Sequence, residues 1–242
     1  MKLKNSYFFT LREDARDEDS KSGNLLVKAG YIKKTSAGIY MMLPLGLRVQ
    51  DKVEKIIRKH MDRAGSLEVK MPALIASDYY ENSGRLQGFG PSIFKLKDRS
   101  GKDMVLGPTH EELFAYANKS MIRSYKDMPF NLYQIQTKFR DEPRARFGLI
   151  RVKEFVMKDA YSFDRDEAGL DVAYKKMFDA YKDIFDEIGL DYRIVKADTG
   201  IMGGLLSEEF QAIAPIGEDS VIYCVCGYSS NEEVAELVSI TS

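Results

Sequence analysis

Between residues 138 and 158 the chain carries seven lysines and arginines (138, 140, 144, 146, 151, 153 and 158) against three acidic residues (141, 142 and 154). Arg140 and Glu142 stand two apart at the end of an alternating segment, a spacing that turns both side chains to one face of a strand. Arg151, Lys153 and Phe155 repeat that period after a charged loop. Two adjacent strands would then present guanidinium, carboxylate and an aromatic ring on one surface. The set suits a nucleotide: arginine for phosphate charge, carboxylate for an exocyclic amine, a ring to stack on a base. A plainer reading stands beside it, a solvated hairpin whose opposite charges pair across strands and contribute little.

A second group lies upstream, in Pro108-Thr109-His110-Glu111-Glu112. Thr109 suits an N-cap, with Glu112 three residues later as its capping-box partner and Glu111 in the favourable first turn. His60 falls on the apolar stripe of a helix and reads as a core or interface residue. Cys224 and Cys226 form a Cys-x-Cys, which offers two of the usual four ligands of a zinc site.

The elements that must position these groups follow from periodicity. Residues 1–24, with a mixed-charge run at 12–19, read as a solvated turn or short exposed helix. Leu25, Leu26, Ala29 and Ile32 recur at helical spacing, ending near Lys33-Lys34. Residues 38–44 read as a short buried strand closed by Pro44. Leu47, Val53, Ile56, Ile57, His60 and Met61 form the apolar stripe of a helix that Gly65 caps. Residues 67–72 alternate as a strand stopped by proline. Residues 93–97 and 104–106 flank Asp98-Arg99-Ser100-Gly101 as a hairpin. Residues 131–140 predict a long strand, and a second runs from Gly148 to about Met157. Residues 169–188 form an amphipathic helix capped by Gly189, and 192–196, 209–214 and 221–223 predict further strands. Hairpins with helices between them favour an α+β layered domain over a parallel βαβ one. No Gly-x-Gly-x-x-Gly and no phosphate-cradling P-loop occurs.

Composition bounds the class. The 242 residues suit one large domain, or one domain plus part of another, with a core that needs no staples. With 44% hydrophobic and 30% charged residues, the chain is ordinary for a soluble globular protein. A formal net charge of −1 excludes a uniformly basic nucleic-acid binder but leaves room for a local basic patch. No stretch approaches the roughly 20 apolar residues of a membrane span, and no signal-peptide core is visible. Two cysteines this close suggest a reducing compartment, hence the cytoplasm.

Phe139-Arg140-Asp141-Glu142, a loop, and Arg151-Val152-Lys153-Glu154-Phe155 resemble motif 2 of class II aminoacyl-tRNA synthetases. Leu43-Pro44-Leu45-Gly46-Leu47-Arg48, Gly107-Pro108-Thr109-His110-Glu111-Glu112, the segment 133–140 and Met157-Lys158-Asp159-Ala160-Tyr161-Ser162-Phe163 are similar to bacterial-type prolyl-tRNA synthetases. The resemblance runs from about residue 1 to 236, with four motifs in the family's order. It implies an antiparallel sheet flanked by helices, incomplete here, and the activation of L-proline with ATP and Mg2+ before transfer to tRNA(Pro). It makes Arg140 the catalytic residue bridging the α-phosphate and the amino acid's carboxylate. Glu142 then lies near the adenine amine, Arg151 near the outer phosphates and Phe155 under adenine, with an ordinary core aromatic as the alternative for Phe155. Thr109 and Glu111, with Arg140, bind proline, whose secondary ammonium offers two N–H donors. His110 is given no role as a base, because an ionised carboxylate needs none; an exposed or structural histidine is expected.

The same resemblance sends Arg144 and Arg146 toward the tRNA acceptor stem, against a merely mobile charged loop. It makes the helix from Leu47 to Ala64, with the strand to Pro72, motif 1, and implies a homodimer built on that helix and strand. Residues 1–220 would be the catalytic domain and 221–242 the junction to an editing-domain insertion. Motif 3 and an anticodon-binding domain are not found in the sequence. Leu205 and Glu208 depart from the small residues and Ser-His-Glu-Phe of many relatives, while Glu209 and Gln211 on one strand could face ATP or magnesium. A non-catalytic binding or regulatory module remains the alternative.

Overall fold

The computed structural model describes residues 3–16, 18, 20–200 and 206–235. Its contacts divide the chain into two units, Met1–Ala180 and Tyr181–Ser242. In the first, Ser20 accepts from the Gly23 amide at 3.0 Å and starts α1 (Lys21–Lys28). The helical period expected through Ile32 stops earlier. Gly30 takes a left-handed turn (φ 70°), a conformation open to glycine, and Ile32 opens β1 (Ile32–Ser36). β1 pairs antiparallel with β2 (Ile39–Met42). That strand was expected to be buried, yet Met41 is 50% exposed. Nor is the 12–19 run wholly solvated: Glu18 is buried and accepts a 2.7 Å hydrogen bond from the Tyr40 hydroxyl.

Pro44, whose missing N–H costs nothing at a helix start, opens α2 (Pro44–Arg63). His60 and Met61 are buried on its inner face, and Gly65 (φ 82°) ends it. The following strand shrinks to β3 (Leu67–Glu68), because beyond it side chains of another strand take over the backbone pairing at Met71. β4 (Leu74–Ala76), the short helices α3 (Asp78–Asn82) and α4 (Arg85–Phe89), β5 (Lys95–Lys97) and β6 (Asp103–Leu106) come next. β5 and β6 form the expected hairpin, and β4 pairs on the other side of β6. Ile75, Tyr80, Ile93, Val105 and Leu113 make the core beneath this sheet.

After α5 (Glu111–Met121), β7 (Phe130–Phe139) and β8 (Glu154–Phe163) pair antiparallel from Phe130↔Phe163 to Phe139↔Glu154. β3 joins the other edge of β7 in parallel. β8 was expected from Gly148. It starts at Glu154 instead, because Phe147 (φ 59°) and Gly148 (φ 61°) turn the chain and only Arg146↔Arg151 bridge across the loop.

α6 (Glu167–Ile188) is close to its expected extent, and Gly189 (φ 81°) closes it. In the second unit β9 (Tyr192–Lys196), β10 (Glu208–Ala212), β11 (Val221–Tyr223) and β12 (Ser229–Asn231) form a sheet in the order β10-β9-β12-β11. Phe185, Tyr192 and Phe210 pack together there. β12, Ser229-Ser230-Asn231, carries no apolar alternation and was not expected; backbone pairing with β11 makes it a strand. The α+β class holds, with mostly antiparallel pairing and parallel contacts at β3–β7 and β12–β9.

Candidate active site

The β7–β8 register places Gln134, Gln136 and Lys138 on one face with Phe155, Met157, Asp159 and Tyr161. That face is polar, and it is buried: Gln134 and Lys138 are both 0% exposed. Buried polar groups need partners, and these have them. Gln134 Oε1 accepts from the Met71 amide at 2.9 Å, and its Nε2 donates to Asp159 Oδ2 at 3.0 Å. Gln136 Nε2 donates to the Met71 carbonyl. Lys138 Nζ donates to the Asp159 carboxylate at 2.9 Å and also contacts His110 Nδ1. Tyr161 donates to Asp159 Oδ2 at 2.7 Å and accepts from the His110 amide at 3.3 Å.

His110 lies at the entry to α5, and its Nε2 is 3.0 Å from the Pro72 carbonyl. It is buried, so of the two readings open for it the structural one holds. Burial, then the neighbouring Lys138 charge, pushes its pKa down. The expected N-cap does not form at Thr109. The residue at the cap position is His110, which makes no side-chain cap bond. Thr109, 2% exposed, instead donates its hydroxyl to Glu111 Oε2 at 2.6 Å. Its carbonyl accepts from the Tyr80 hydroxyl. Glu112 is drawn away from any capping box by Ser83 Oγ at 2.9 Å and Arg85 Nη1 at 3.1 Å. The same Arg85 nitrogen reaches Glu111 Oε2 at 3.0 Å.

Arg140 follows directly on β7. Its amide donates to the Lys153 carbonyl at 2.9 Å, which fixes the backbone at the mouth of the hairpin. The guanidinium lies over the Phe155 ring at 5.4 Å, and its Nη2 reaches the Pro108 carbonyl at 3.4 Å. Its Nε is buried and finds no hydrogen-bond partner among the described residues. Burial lowers the Arg140 pKa, opposed by the charges of Glu111 and Glu142, and the group stays cationic.

The structure thus brings Thr109, Glu111, Arg140 and Phe155 to one locality. It does not place Arg140 and Glu142 on a strand as the spacing predicted. The chain turns there, with the Glu142 amide donating to the Arg140 carbonyl at 2.7 Å. Glu142 pairs with Arg151 at 3.0 Å, and Lys153 with Asp141 at 2.6 Å. Arg151 stands in an isolated bridge outside β8. Arg144 and Arg146 are exposed in the loop, the latter over the Phe147 ring at 4.8 Å. A mainly apolar cavity of about 400 Å³ opens against α2, lined by Val53, Thr137, Leu149, Phe155 and Val156.

Sequence reading missed Arg85, Tyr80, Lys138, Asp159 and Tyr161. The signal for three of them was present in the alternation Gln134-x-Gln136-x-Lys138 and in Asp159-x-Tyr161, polar residues sharing a face. Elsewhere, Leu205 lies outside the described residues. Glu208 starts β10, where Gln211 Nε2 donates to Glu209 Oε2 at 2.6 Å. Cys224 and Cys226 are exposed thiols, and the Cys226 amide donates to Cys224 Sγ at 3.3 Å. Among the described residues no three or more His, Cys, Asp or Glu side chains gather as a metal site. No described helix is long and apolar enough to cross a membrane.

Chemically, the locality offers a carboxylate and hydroxyl for a cation beside a half-buried guanidinium whose Nε finds no acceptor among the described residues. That combination fits a zwitterion abutting a second anion.

Comparison with known proteins is consistent with this chemistry. The family model of the class II tRNA synthetase core domain (G, H, P, S and T) matches residues 94–240. The proline–tRNA ligase of Caldicellulosiruptor saccharolyticus is 52% identical over 98% of this chain and 41% of its own length. That of a Nocardioides species is 52% identical over 96% and 40%. The chain therefore spans about two-fifths of the curated relatives it matches. Among solved structures, Giardia lamblia prolyl-tRNA synthetase in complex with prolyl-adenylate superposes with a TM-score of 0.64 at 19% identity, covering 69% of this chain and 35% of its own. Cryptosporidium parvum prolyl-tRNA synthetase with halofuginone and AMPPNP gives 0.70 at 15% identity, covering 77% and 40%. These structural likenesses establish a shared fold. Since Thr109, Glu111, Arg140 and the whole β7–β8 hairpin fall inside the matched span, the chain belongs to the class II tRNA synthetase core-domain family.

Proposed function

We propose that this chain is a catalytic portion of a proline–tRNA ligase, which activates proline with ATP and transfers it to tRNA(Pro). The observation that carries the reading is Arg140, a half-buried guanidinium whose buried Nε has no acceptor among the described residues, held over Phe155 beside the Thr109–Glu111 pair. The names of the relatives and the prolyl-adenylate bound to a fold neighbour support the choice of amino acid. In the first step a carboxylate oxygen of proline attacks the α-phosphorus of ATP; a new O–P bond forms and pyrophosphate leaves. Both reactants are anions, so positioning and charge neutralisation dominate. Arg140 supplies the charge between them. Thr109 and Glu111 hold the secondary ammonium and aim the carboxylate.

Glu142 and Arg151, paired with each other at 3.0 Å, would exchange that contact for the adenine amine and the outer phosphates. Phe155 carries the Arg140 cation on one face and offers its ring to adenine. Magnesium would enter on the phosphates of the nucleotide, since the described residues present no ready carboxylate cage, and no step is assigned to it. Arg144 and Arg146, exposed at the hairpin tip, suit the phosphates of the tRNA acceptor stem. The reading extends to residues 1–220 as catalytic domain and 221–242 as a junction, to a homodimer through α2, and to the cytoplasm. Proline-dependent exchange of pyrophosphate into ATP, measured on the protein as encoded with any sequence its gene carries beyond residue 242, tests it. Exchange is expected with proline and not with alanine. No exchange would return the chain to a non-catalytic binding role.

A further inference from the structure

Lys138 is a buried cation for which the proposed chemistry has no use. It is 0% exposed, and a lysine in that position is costly to desolvate unless its charge is matched. Replacing a buried pair by apolar side chains is often neutral or stabilising, so fold stability alone gives little reason for a lysine here. Its surroundings give another reason. An ammonium has three donors and no acceptor, so His110 Nδ1, which contacts Lys138 Nζ, must be the accepting nitrogen. A carbonyl can only accept, so His110 Nε2, 3.0 Å from the Pro72 oxygen, must carry the proton. The two contacts agree on one neutral tautomer. Tyr161 completes the arrangement: its hydroxyl donates to the Asp159 carboxylate that faces Lys138 and accepts the His110 amide. His110 is thereby gripped at both ring nitrogens and at its backbone, and its immediate neighbours are Thr109 and Glu111.

We infer that Lys138, with Asp159, is a positioning residue that locks His110 as the Nε2–H tautomer and so fixes the Thr109–Glu111 loop against Arg140 for proline. The inference rests on the proposed proline activation for its kinetic consequence and on the side-chain geometry alone for its tautomer. Lys138 touches no substrate in this account. A displacement of the loop by even about 1 Å is enough to cost up to ~10²-fold in a positioned reaction. The effect should fall on proline and largely spare ATP, which shares Arg140 with proline but whose other proposed contacts lie at Glu142, Arg151 and Phe155.

The test uses Lys138→Met and Lys138→Arg in the protein as encoded, with two readouts. In pyrophosphate exchange, Lys138→Met should raise the KM for proline at least ~10-fold and leave the KM for ATP within about 2-fold. Lys138→Arg, which keeps the charge but not the compact three-donor head, should fall between it and the wild type. Equal changes in both constants, or none, would overturn the inference, since a merely structural role lowers the amount of active protein without separating the two. If Lys138→Met does not fold, the arginine variant carries the kinetic arm. In the wild type, NMR of the imidazole nitrogens at neutral pH should show His110 protonated at Nε2 only. A ring protonated at Nδ1, or at both nitrogens, would overturn the inference whatever the kinetics. A wild type with the expected tautomer and no exchange would contradict the proline reading, while the lock on His110 would stand.

Discussion

The paired strands of the β7–β8 hairpin and the loop that joins them are both rich in charge, yet they hold it differently. Among the strands, Lys138 is fully buried and lies 2.9 Å from Asp159, whose side chain is 10% exposed. In the loop, Lys153 meets Asp141 at 2.6 Å with side chains 27% and 41% exposed, and Arg151 meets Glu142 at 3.0 Å with 38% and 21%. The distances are alike and the environments are not. A pair in solvent is screened and worth little, so it can be traded for a ligand at small cost. A buried pair cannot be separated without stranding a charge, so it fixes whatever is attached to it. Arg140 stands at the junction of the two regimes: its backbone is tied to Lys153, and its half-buried guanidinium has a buried Nε with no partner among the described residues. The comparison suggests a division within one hairpin, with a rigid polar base beside the proposed amino-acid site and a loose charged tip that stays exchangeable.

That division can be broken experimentally. Asp159→Ala leaves the Lys138 ammonium buried without its carboxylate and should cost about 3–5 kcal/mol in denaturant unfolding. A loss below about 1 kcal/mol would mean the base is no more rigid than the tip. The next effect concerns pH. His110 is held neutral by burial and by Lys138, so its folded pKa lies below the unfolded value of about 6.5. The unfolded chain binds that proton first, so stability is full above about pH 6.5 and declines as pH falls below it, by up to about 1.4 kcal/mol per unit. His110→Gln should flatten that part of the stability profile; an unchanged slope would place its origin elsewhere. The smallest effect belongs to the tip. Lys153→Ala should change stability by less than about 1 kcal/mol, and added salt should shrink the difference further. A loss at Lys153 as large as that at Asp159 would erase the contrast.

Much of this was legible in the sequence, in a form that pointed away from its meaning. Alternation over residues 131–140 predicted β7 correctly, and the same period two puts Gln134, Gln136 and Lys138 on one face, a grouping that reading did not draw. It could not say which face meets protein. An alternating strand ordinarily turns its polar side to water, whereas here that side is covered by Met71, more than 60 residues away in sequence, and by His110. The capping pattern at Thr109 and Glu112 failed for a related reason. The hydroxyl that could cap an amide finds a closer partner in Glu111, and the glutamate that could complete the box is taken by Arg85 and Ser83, residues no local pattern links to it. The same-face argument for Arg140 and Glu142 extended a strand period into a turn. Spacing alone leaned toward a solvated hairpin for those two residues over a nucleotide site; the nucleotide reading came from the resemblance to a family. β12 had no apolar pattern to read at all.

The proposed function turns on the charge of Arg140, aimed by its backbone tie and by Phe155, which would allow two anions to react. Its most direct test is proline-dependent pyrophosphate exchange by Arg140→Lys and Arg140→Ala beside the wild type. Alanine should lower the exchange rate by at least ~10²-fold, and lysine, a point charge without the planar fork, should recover only a small part of it. Exchange by Arg140→Ala within a few-fold of the wild type would contradict it.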